Sequence, residues 1–569
     1  MKKSKLQIAT IAILLSISLQ GFCQEVSLGW AGQFGGTRSA YVNDIALTSS
    51  GDIVAAGFFE ETVDFDPGPG TFNLTSGGKS DIFVVKLDAN QQFVWARHFP
   101  GAGSDRGYAL TVSDDGSSYI TGEFEGTADF DPGTGVFTMT SESPQGCFIT
   151  KLNSNGDLVW AKQLQSTVSN HRGSAITMDP SGDILVAGFF DGQTDFDPGP
   201  GTFPIQPVGG TYGYVWRLGP DGEFRWAKSF GGNNAFVMVN DVKVDLTGNI
   251  HFCGYYSGTP DFDPGTGTVS LTSAGGSDSY LVKLDNSGNL IWAKSFGGPN
   301  GDYCNGVAVD QSGAVYGSGY FLGTADFDPG PGVTNLVAER NNIFLIKLTR
   351  EGELSWANSL TGTNNDYGKG ITLDPQGRIY ITGCFKGTTD FDPGPSTHSL
   401  TTKGDYDFFI SKYDASGNLI RVNQMSGTSW ECGNKLIVDP AGNIYAGGYF
   451  GGSPSFNPNG TGNSLTAKGI TDAFIVKLLQ ETSGTEQFEK SSEYLIYPNP
   501  TQGLLTISRN DPSEGCVIRI LDIQGRILSE KVIPSGQPGT VDMNNQTPGL
   551  YIIELETSKG QIREKIIRY

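Results

Sequence analysis

The chain has 569 residues and a formal net charge of −22 at pH 7. Because so acidic a protein repels the phosphate backbone, its composition argues against nucleic-acid binding. With 80 glycines, 11% aromatic residues and only 17% charged residues, it is typical of a turn-rich β protein rather than a helical or disordered one.

The first 23 residues have the order of an export signal, in which basic residues precede the apolar run from Ile8 to Leu19. That run is too short to cross a bilayer. We therefore predict a signal peptide over residues 1–23 and a secreted protein. Lipidation of Cys23 is the weaker reading because the bulky Phe22 precedes it. No other stretch is apolar enough to predict a transmembrane segment.

Seven copies of one sequence unit follow, spaced about 65 residues apart. Each contains Asp-Phe-Asp-Pro-Gly, which has decayed to Ser-Phe-Asn-Pro in the seventh copy, and six are preceded by a segment similar to Leu-x-Trp-Ala-Lys. Alternating apolar residues and turn signals predict four strands in the unit at residues 105–163. These strands are expected at residues 107–112, 118–124, 147–152 and 158–162.

Seven units of four antiparallel strands predict an all-β fold, a seven-bladed β-propeller over residues 24–480. The ends of this region predict closure of the ring. Residues 28–31 look like an isolated fourth strand, whereas the last unit stops after its third strand, residues 472–478. The N-terminal strand can therefore complete the last blade, which an open solenoid would not require.

The repeat length and the sequence motifs of the units, as in residues 278–298, resemble the SBBP family of bacterial β-propeller repeats. The resemblance covers roughly residues 25–480. It implies an extracellular propeller, but the family has no single activity, so it leaves the function open.

The repeated carboxylates are the first candidate site. In an extended segment the two aspartates of a motif share one face while the phenylalanine between them turns inward. We favour a structural role, in which they accept backbone N–H groups before Pro-Gly, because a feature of every blade is more typical of scaffold. A weak Ca2+ site is the alternative, although two carboxylates are too few for its ligand shell. The residues concerned are Asp64, Asp66, Asp129, Asp131, Asp195, Asp197, Asp261, Asp263, Asp326, Asp328, Asp390 and Asp392.

Other side chains that recur once per blade are also interpreted as structural. The third strand of every unit ends in a basic residue, which is expected to pair with a neighbouring blade or reach solvent rather than form an anion-binding ring. The tryptophans are expected to pack between blades. The basic residues are Lys86, Lys151, Arg217, Lys283, Lys347, Lys412 and Lys477.

The non-repeated residues give few signals. The six cysteines after Cys23 share no repeat position, so neither a metal ribbon nor a disulfide framework is predicted, and one or two incidental disulfides stay open. His171 interrupts the third unit and is the strongest outlier. We interpret it as a lone surface histidine.

A second domain follows a polar linker at residues 481–493. Strand-like segments predict a small β-sandwich over residues 494–569. These segments lie at residues 504–507, 517–521 and 551–555.

Four pieces of this domain occur in a recognisable order. They are Tyr-Pro-Asn-Pro at 497–500, Leu-Asp-Ile-Gln-Gly-Arg at 521–526, Pro-Gly-Leu-Tyr at 548–551 and a basic ending at 565–569. Together they resemble the C-terminal sorting domain of type IX secretion cargo. The resemblance implies recognition by the type IX secretion machinery of a Gram-negative bacterium, with the protein secreted or held at the outer cell surface.

The sequence thus predicts an exported, non-catalytic module that binds a glycan or a protein, because it shows no metal-binding histidine pair, nucleophile elbow or phosphate loop. One alternative is a polysaccharide lyase or glycosidase with Asp105, Asp302 or Asp366 as catalytic acids, although an aspartate recurs there in several units. Another is a structural surface protein that associates with copies of itself.

Overall fold

The computed structural model describes residues 26–166, 170–458, 462–480, 494–497, 504–509, 516–521, 526–535, 539–544, 546, 549–557 and 560–568. The chain divides into two compact units, one within Glu25–Glu481 and one within Thr482–Tyr569. Within the described ranges every regular element is a β-strand, so the all-β class predicted from the sequence is confirmed. None of these residues forms a helix with the length and apolar character of a membrane span. The predicted signal peptide and linker lie outside the described residues.

The described part of the larger unit contains seven antiparallel four-stranded sheets, two of which continue into a further short strand pair. Each sheet is a meander in which a first, second, third and fourth strand lie side by side in that order. Sheet 1 contains Ala40–Leu47, Ile53–Phe59, Asp81–Leu87 and Phe93–Phe99; sheet 2 contains Arg106–Val112, Ser118–Phe124, Gly146–Leu152 and Leu158–Gln163; sheet 3 contains His171–Met178, Ile184–Phe190, Tyr212–Leu218 and Phe224–Phe230; sheet 4 contains Phe236–Val244, Ile250–Ser257, Asp278–Leu284 and Leu290–Phe296. Sheet 5 contains Tyr303–Val309, Val315–Asp326, Asn335–Leu348 and Leu354–Gly362; sheet 6 contains Tyr367–Leu373, Ile379–Phe385, Asp407–Tyr413 and Leu419–Met425; sheet 7 contains Glu431–Val438, Ile444–Phe450, Asp472–Gln480 and Val26–Gly36.

The N-terminal strand closes the ring as predicted. Val26–Gly36 pairs antiparallel with Asp472–Gln480, in a register that runs from Val26 opposite Gln480 to Phe34 opposite Ala473. The fourth strand of the last sheet is therefore supplied by the other end of the unit.

The first strands of the sheets lie at the centre of the ring. Each packs against the first strand of the next sheet, and the first strand of sheet 7 packs against that of sheet 1. Because the first strands face one another around an axis, their side chains line a central channel.

The hydrophobic core is divided among the interfaces between neighbouring sheets, and each of the seven interfaces has its own cluster of buried apolar side chains. The phenylalanine of every Asp-Phe-Asp motif, and Phe456 of the decayed copy, is fully buried there. Radial repetition thus gives each sheet two buried faces without one large core.

Short strand pairs follow the second strand of several sheets and were not predicted from the sequence. They are Thr62–Asp64 with Asn73–Thr75, Thr127–Asp129 with Thr138–Thr140, Thr194–Asp195 with Pro204–Ile205, and Thr388–Asp390 with Ser399–Thr401. In sheet 5 the long second and third strands pair through the same region.

The C-terminal unit contains two sheets in its described residues. One consists of Tyr494–Tyr497, Leu504–Arg509 and Gly539–Asp542, and the other of Ile527–Ile533, Cys516–Leu521, Gly549–Thr557 and Gly560–Arg568. Side chains of both sheets, among them Ile507, Ile518 and Ile553, form one buried apolar cluster. This arrangement is the two-layer packing of a β-sandwich.

Candidate binding site at the mouth of the channel

The repeated aspartates act as hydrogen-bond acceptors within their own loops. Oδ1 of Asp64 accepts the backbone N–H of Asp66 at 3.2 Å and of Phe72 at 2.9 Å, and Oδ1 of Asp66 accepts the N–H of Gly68 at 2.8 Å. The other five motifs repeat this pattern at Asp129 and Asp131, Asp195 and Asp197, Asp261 and Asp263, Asp326 and Asp328, and Asp390 and Asp392. The geometry is that of an Asx turn, which is the structural role favoured from the sequence.

Each motif also connects two sheets. The first aspartate, or its neighbour, pairs with a residue at or just after the end of the fourth strand of the preceding sheet, as in the pairs Gly231 with Asp261 and Thr361 with Asp390. The decayed copy keeps this contact through Ser426 and Ser455. In the described residues no three His, Cys, Asp or Glu side chains are grouped so that they could hold a metal ion.

We expect the Asp129→Ala variant to lower the free energy of unfolding by about 1–2 kcal/mol, because two backbone N–H groups lose their acceptor. Asp129→Asn keeps an acceptor oxygen and should cost less than half as much. Asp114→Ala is the matched control, since it removes an exposed carboxylate of the same sheet outside the motif. Urea unfolding measures all three.

The same variants test the calcium alternative. If the turn role is the whole role, adding Ca2+ or EDTA leaves the unfolding midpoint of the unaltered protein unchanged. A Ca2+-dependent rise of the midpoint that Asp129→Asn reduces would instead assign the loops a metal.

The recurrent tryptophans and basic residues contact the next sheet. Nε1 of Trp160 donates to the carbonyl of Pro220 at 3.2 Å, and Nζ of Lys151 donates to the same carbonyl at 3.3 Å. Trp292 and Lys283 share the carbonyl of Arg350 in the same way. Four of the seven basic side chains bind a backbone carbonyl in the turn between the third and fourth strands of the next sheet: Lys151, Arg217, Lys283 and Lys347. Lys86 instead pairs with Asp52 of its own sheet.

The candidate site consists of side chains at the start of the first strands and the end of the second strands. In each sheet one residue of each strand lies opposite the other at the mouth of the channel; we call these the rim pairs. They are Tyr41 with Phe58, Arg106 with Glu123, Arg172 with Phe189, Met238 with Tyr255, Tyr303 with Tyr320, Tyr367 with Cys384, and Cys432 with Tyr449.

The aromatic rim residues form a nearly continuous belt of half-exposed rings over sheets 4, 5, 6, 7 and 1. Ring centroids lie 4.7 Å apart for Tyr255 and Tyr303, 4.9 Å for Tyr303 and Tyr320, and 4.9 Å for Tyr320 and Tyr367. The contact of Tyr41 with Tyr449, at 5.0 Å, joins sheet 1 to sheet 7. The Tyr303–Tyr320 pair is stacked and the other three contacts are edge-to-face. Such contacts favour fixed ring orientations.

Two further rings extend the belt between sheets 6 and 7. Tyr406 comes just before the third strand of sheet 6, and Trp430 comes just before the first strand of sheet 7. The ring centroid of Tyr406 lies 5.9 Å from that of Tyr367, and the ring centroid of Trp430 lies 5.3 Å from that of Tyr449. The belt is therefore widest over these two sheets.

A pocket of about 490 Å³ lies within the belt. Its aromatic walls are Tyr320, Tyr367, Tyr406, Trp430 and Tyr449, and its polar walls include Asn305, Lys369 and Asp405. A concave, largely aromatic surface with a few polar groups is the usual form of a small-ligand site.

The pocket is continuous with the channel, where a cavity of about 390 Å³ is lined by residues from all seven sheets and shares Asn305 and Lys369 with it. Asparagines on the first strands connect neighbouring sheets here. Nδ2 of Asn43 donates to the carbonyl of Gly107 at 2.7 Å, and Nδ2 of Asn434 donates to the carbonyl of Val42 at 2.9 Å. These bonds hold the channel wall in place.

An ion pair joins opposite sides of the channel below the pocket. Nζ of Lys435 in sheet 7 lies 3.3 Å from Oδ1 of Asp241 in sheet 4, and Nζ of Lys243 lies 3.2 Å from the same oxygen. Burial opposes the ionisation of Asp241, but the two lysines outweigh it and lower its pKa. The ion pair between Lys435 and Asp241 therefore crosses the channel and narrows it.

The three acids of the enzyme alternative are fully buried between sheets. Burial raises the pKa of Asp105, Asp302 and Asp366 to about 7. Each lies against a glycine at or just after the end of the fourth strand of the preceding sheet, as Asp105 does at Gly101. They face the sheet interface and none lines the pocket or the channel cavity.

The prediction that His171 is a surface histidine is wrong. Its exposed fraction is 1% and its Nδ1 accepts the N–H of Cys147 at 2.8 Å. Burial lowers the pKa of His171 to about 4, so the ring is neutral at pH 7. The reason is its place before Arg172, which corresponds to the buried position of Asp105 in sheet 2.

One disulfide lies at the rim. Cys384 of sheet 6 and Cys432 of sheet 7 are bonded, with their Cα atoms 4.8 Å apart, and both line the pocket. Cys147, Cys253, Cys304 and Cys516 are buried thiols. The single bond among described residues fits the incidental disulfide that the sequence left open.

Two family models match parts of the chain. Residues 356–383 match the beta-propeller repeat, and residues 495–568 match the secretion system C-terminal sorting domain. The C-terminal unit is a sorting domain. Recognition of the repeats and of the sorting domain from the sequence is thereby confirmed, and the domain indicates export by type IX secretion to the cell surface or the medium.

Two curated relatives are similar over different lengths. An uncharacterized WD repeat-containing protein of Acanthamoeba polyphaga mimivirus is 22% identical over 528 residues, 80% of this chain and 34% of that protein. Regulatory protein FlaEY of Caulobacter vibrioides is 23% identical over 145 residues, 26% of this chain and 15% of that protein. The chain thus matches only 34% and 15% of the lengths of these relatives.

Solved structures share low identity with the chain. A gluconolactonase from Xanthomonas campestris has a TM-score of 0.26 and 13% identity, over 64% of this chain and 90% of that one. Sqt1 from Chaetomium thermophilum has a TM-score of 0.33 and 10% identity, over 80% and 100%. An apocarotenoid oxygenase from Synechocystis has a TM-score of 0.34 and 11% identity, over 90% and 96%.

Proposed function

We propose that this protein is an exported, non-catalytic binding module that holds a saccharide at the mouth of its channel. The aromatic belt is the observation that carries the proposal. Half-exposed tyrosine and tryptophan rings combine an apolar face, which stacks on the C–H face of a sugar ring, with a polar group that accepts or donates hydrogen bonds. Exposed rings scattered over the surface would not indicate a binding site, but these rings surround one concave pocket.

The polar groups of the site complement this apolar surface. Asn305 and Lys369 lie at the junction of the pocket and the channel, within reach of a ligand that enters from the mouth. A saccharide needs both kinds of contact because its hydroxyl groups must keep hydrogen bonds when they leave water.

The state of the acids among the described residues favours binding over hydrolysis or elimination. Asp405 lines the pocket but forms an ion pair with Lys386. Asp105, Asp302 and Asp366 belong to the sheet interfaces. Glu431 borders the pocket but is buried beside Asp407, and burial raises its pKa to about 8. A general acid must reach the bond that it protonates, and buried interface acids do not.

A glycan array with the full-length protein tests this function, followed by titration calorimetry on the best ligand. We expect saturable binding that Tyr320→Ala weakens at least about tenfold, since stacking on the belt is lost. Phe137→Ala is the matched control, because that exposed ring lies in a loop of sheet 2 outside the site.

Three outcomes would count against the proposal. Failure to bind any glycan would remove its basis, and binding that Tyr320→Ala leaves unchanged would move the site elsewhere. Cleaved products in mass spectra of the incubated glycans would contradict the non-catalytic role. Titrations with Ca2+ and with EDTA show whether binding depends on that ion.

A further inference from the structure

Two cations at the channel mouth have no carboxylate partner among the described residues. The Arg172 guanidinium carbon lies 4.6 Å from the ring centroid of Tyr108 and 5.2 Å from that of Phe189, and Nε of Arg172 donates to Oγ of Ser174 at 3.2 Å. Nζ of Lys369 lies 5.2 Å from the centroid of Tyr449 and donates to Oδ1 of Asn434 at 2.8 Å. Both line the channel cavity.

The acids around them are already engaged. Glu123 pairs with Arg106 and accepts the hydroxyl of Tyr108, and Asp405 pairs with Lys386. Deeper in the channel, Asp44 and Asp241 accept backbone N–H groups and Asp241 also faces two lysines.

The electrostatic environment of Lys369 favours the binding of an anion. Burial alone lowers the pKa of Lys369 to about 8, with no neighbouring carboxylate to raise it. A half-buried ammonium without a counter-ion is unfavourable, and an incoming anion would remove that cost. The Arg172 guanidinium lies close to two rings and uses its Nε for Ser174. A guanidinium can form paired hydrogen bonds with a carboxylate.

From this arrangement we infer that the saccharide is acidic, carrying uronic-acid carboxylates that Lys369 and Arg172 bind while the sugar rings stack on the aromatic belt. The inference rests on the proposed function and adds the class of ligand. The two cations belong to sheets 6 and 3, so they act at separate points of the mouth and favour an oligosaccharide over a single sugar. The net charge of −22 repels such a ligand at long range, which makes these local contacts decisive.

The test uses matched pairs of oligosaccharides that differ only in charge: oligogalacturonate, oligoalginate and hyaluronan fragments, each as the free acid and as the methyl ester. Calorimetry with the full-length protein should show at least one free acid bound about tenfold more tightly than its ester. The preference should shrink as the salt concentration is raised, because screening weakens exposed charge pairs.

The double variant Arg172→Gln with Lys369→Gln should bring the ratio of acid to ester affinity close to one. Because Lys369 also lines the pocket, this ratio is the readout and the affinity for the ester alone is not. Arg225→Gln, which removes one exposed charge from the fourth strand of sheet 3, is the matched control and should change nothing. Thermal unfolding of each variant shows whether it is folded. If the double variant does not fold, the single variant Lys369→Gln replaces it, because glutamine keeps a hydrogen-bond donor for Asn434.

Each outcome decides the inference. An acid preference that disappears in the double variant supports it. Equal binding of acids and esters overturns it while the proposed function stands. An acid preference that the double variant retains places the anion elsewhere and also overturns it. If no saccharide of either form binds, the proposed function fails and the inference fails with it.

Discussion

The propeller is expected to become more stable as the pH falls from about 8 to about 5, the reverse of the usual acid destabilisation. The cause is a set of buried carboxyl groups between the sheets. Three interfaces bring two of them together: Asp81 with Asp105, Asp278 with Asp302, and Asp407 with Glu431.

Burial raises the pKa of these acids. The values rise to about 6 for Asp81 and Asp278, to about 7 for Asp105 and Asp302, and to about 8 for Glu431. In Asp81, Asp105 and Glu431 one buried carboxyl oxygen has no hydrogen-bond partner among the described residues. A proton on one acid of a pair gives it a donor, so the protonated interface is the more stable one.

The direction of the pH effect follows from proton binding. An unfolded acid titrates near its ordinary pKa of about 4, so between about pH 4 and pH 8 these acids bind more protons in the folded state than in the unfolded state. The neutral ring of His171 opposes this effect below about pH 6.5, but the acids are more numerous. Stability therefore falls as the pH rises through this window. Each unit by which a pKa is raised contributes about 1.4 kcal/mol, and several groups contribute together.

Below about pH 4 the trend should reverse. Acids such as Asp310 and Asp285 accept several hydrogen bonds as carboxylates, which outweigh the desolvation that opposes ionisation and lower their pKa. Their contribution is lost in acid. A maximum near pH 5 is therefore expected, and thermal unfolding between pH 4 and pH 9 locates it.

Neutral substitutes identify the responsible groups. Asp105→Asn and Asp302→Asn should flatten the pH dependence and raise stability at pH 8, while at pH 5 the variants should be close to the unaltered protein. Asp114→Asn removes an exposed charge of sheet 2 and is the control. A melting temperature that falls steadily from pH 8 to pH 5, or a slope that the two variants leave intact, would contradict this account.

The strands were predictable because their signals are local. In the unit at residues 105–163 the predicted strands agree with Arg106–Val112, Ser118–Phe124, Gly146–Leu152 and Leu158–Gln163 to within a residue at each end. Apolar alternation and turns of the Asp-x-x-Gly type report geometry that neighbouring residues determine themselves. The short pairs beyond the second strands were missed because two or three residues are too few to show alternation, and their register depends on a carboxylate that bonds to a residue eight positions away.

The candidate site was not predicted from the sequence. Whether a side chain faces the channel depends on how the seven sheets are arranged around it, and the sequence of a single strand does not show this. A signal does exist: the second strand of five units contains Gly followed by two aromatic residues. Since successive side chains in a strand point to opposite faces, only one of the two rings can enter an interface. Phe59 is fully buried and Phe58 is half-exposed at the rim, so the middle residue of this triplet marks the mouth.

His171 and Asp105 show the same limit for polar residues. Their positions at the beginning of a unit look like loop positions in the sequence. The structure places them against the preceding sheet, where a glycine after the fourth strand makes room for the Asp105 side chain in sheet 2. The burial of these two positions follows from the packing of neighbouring repeats, which the sequence of one repeat does not show.

Loss of the N-terminal strand is expected to abolish the cooperative unfolding of the propeller. Deleting Val26–Gly36 leaves Asp472–Gln480 as an open edge and removes Phe34 from the core between sheets 7 and 1. Because each sheet is stabilised by its neighbours, one incomplete sheet exposes two interfaces. The measurement is chemical unfolding followed by tryptophan fluorescence and circular dichroism, with aggregation monitored by light scattering.

A point variant tests the same idea if the deletion variant does not fold. Phe34 and Phe99 occupy equivalent places on fourth strands, and both are fully buried, Phe34 in the strand from the N-terminus and Phe99 in a continuous sheet. If the closing strand is as firmly held as the others, Phe34→Ala costs about 3–5 kcal/mol, the same as Phe99→Ala. A cost for Phe34→Ala far below that for Phe99→Ala would mean that the ring opens at this strand before the rest unfolds.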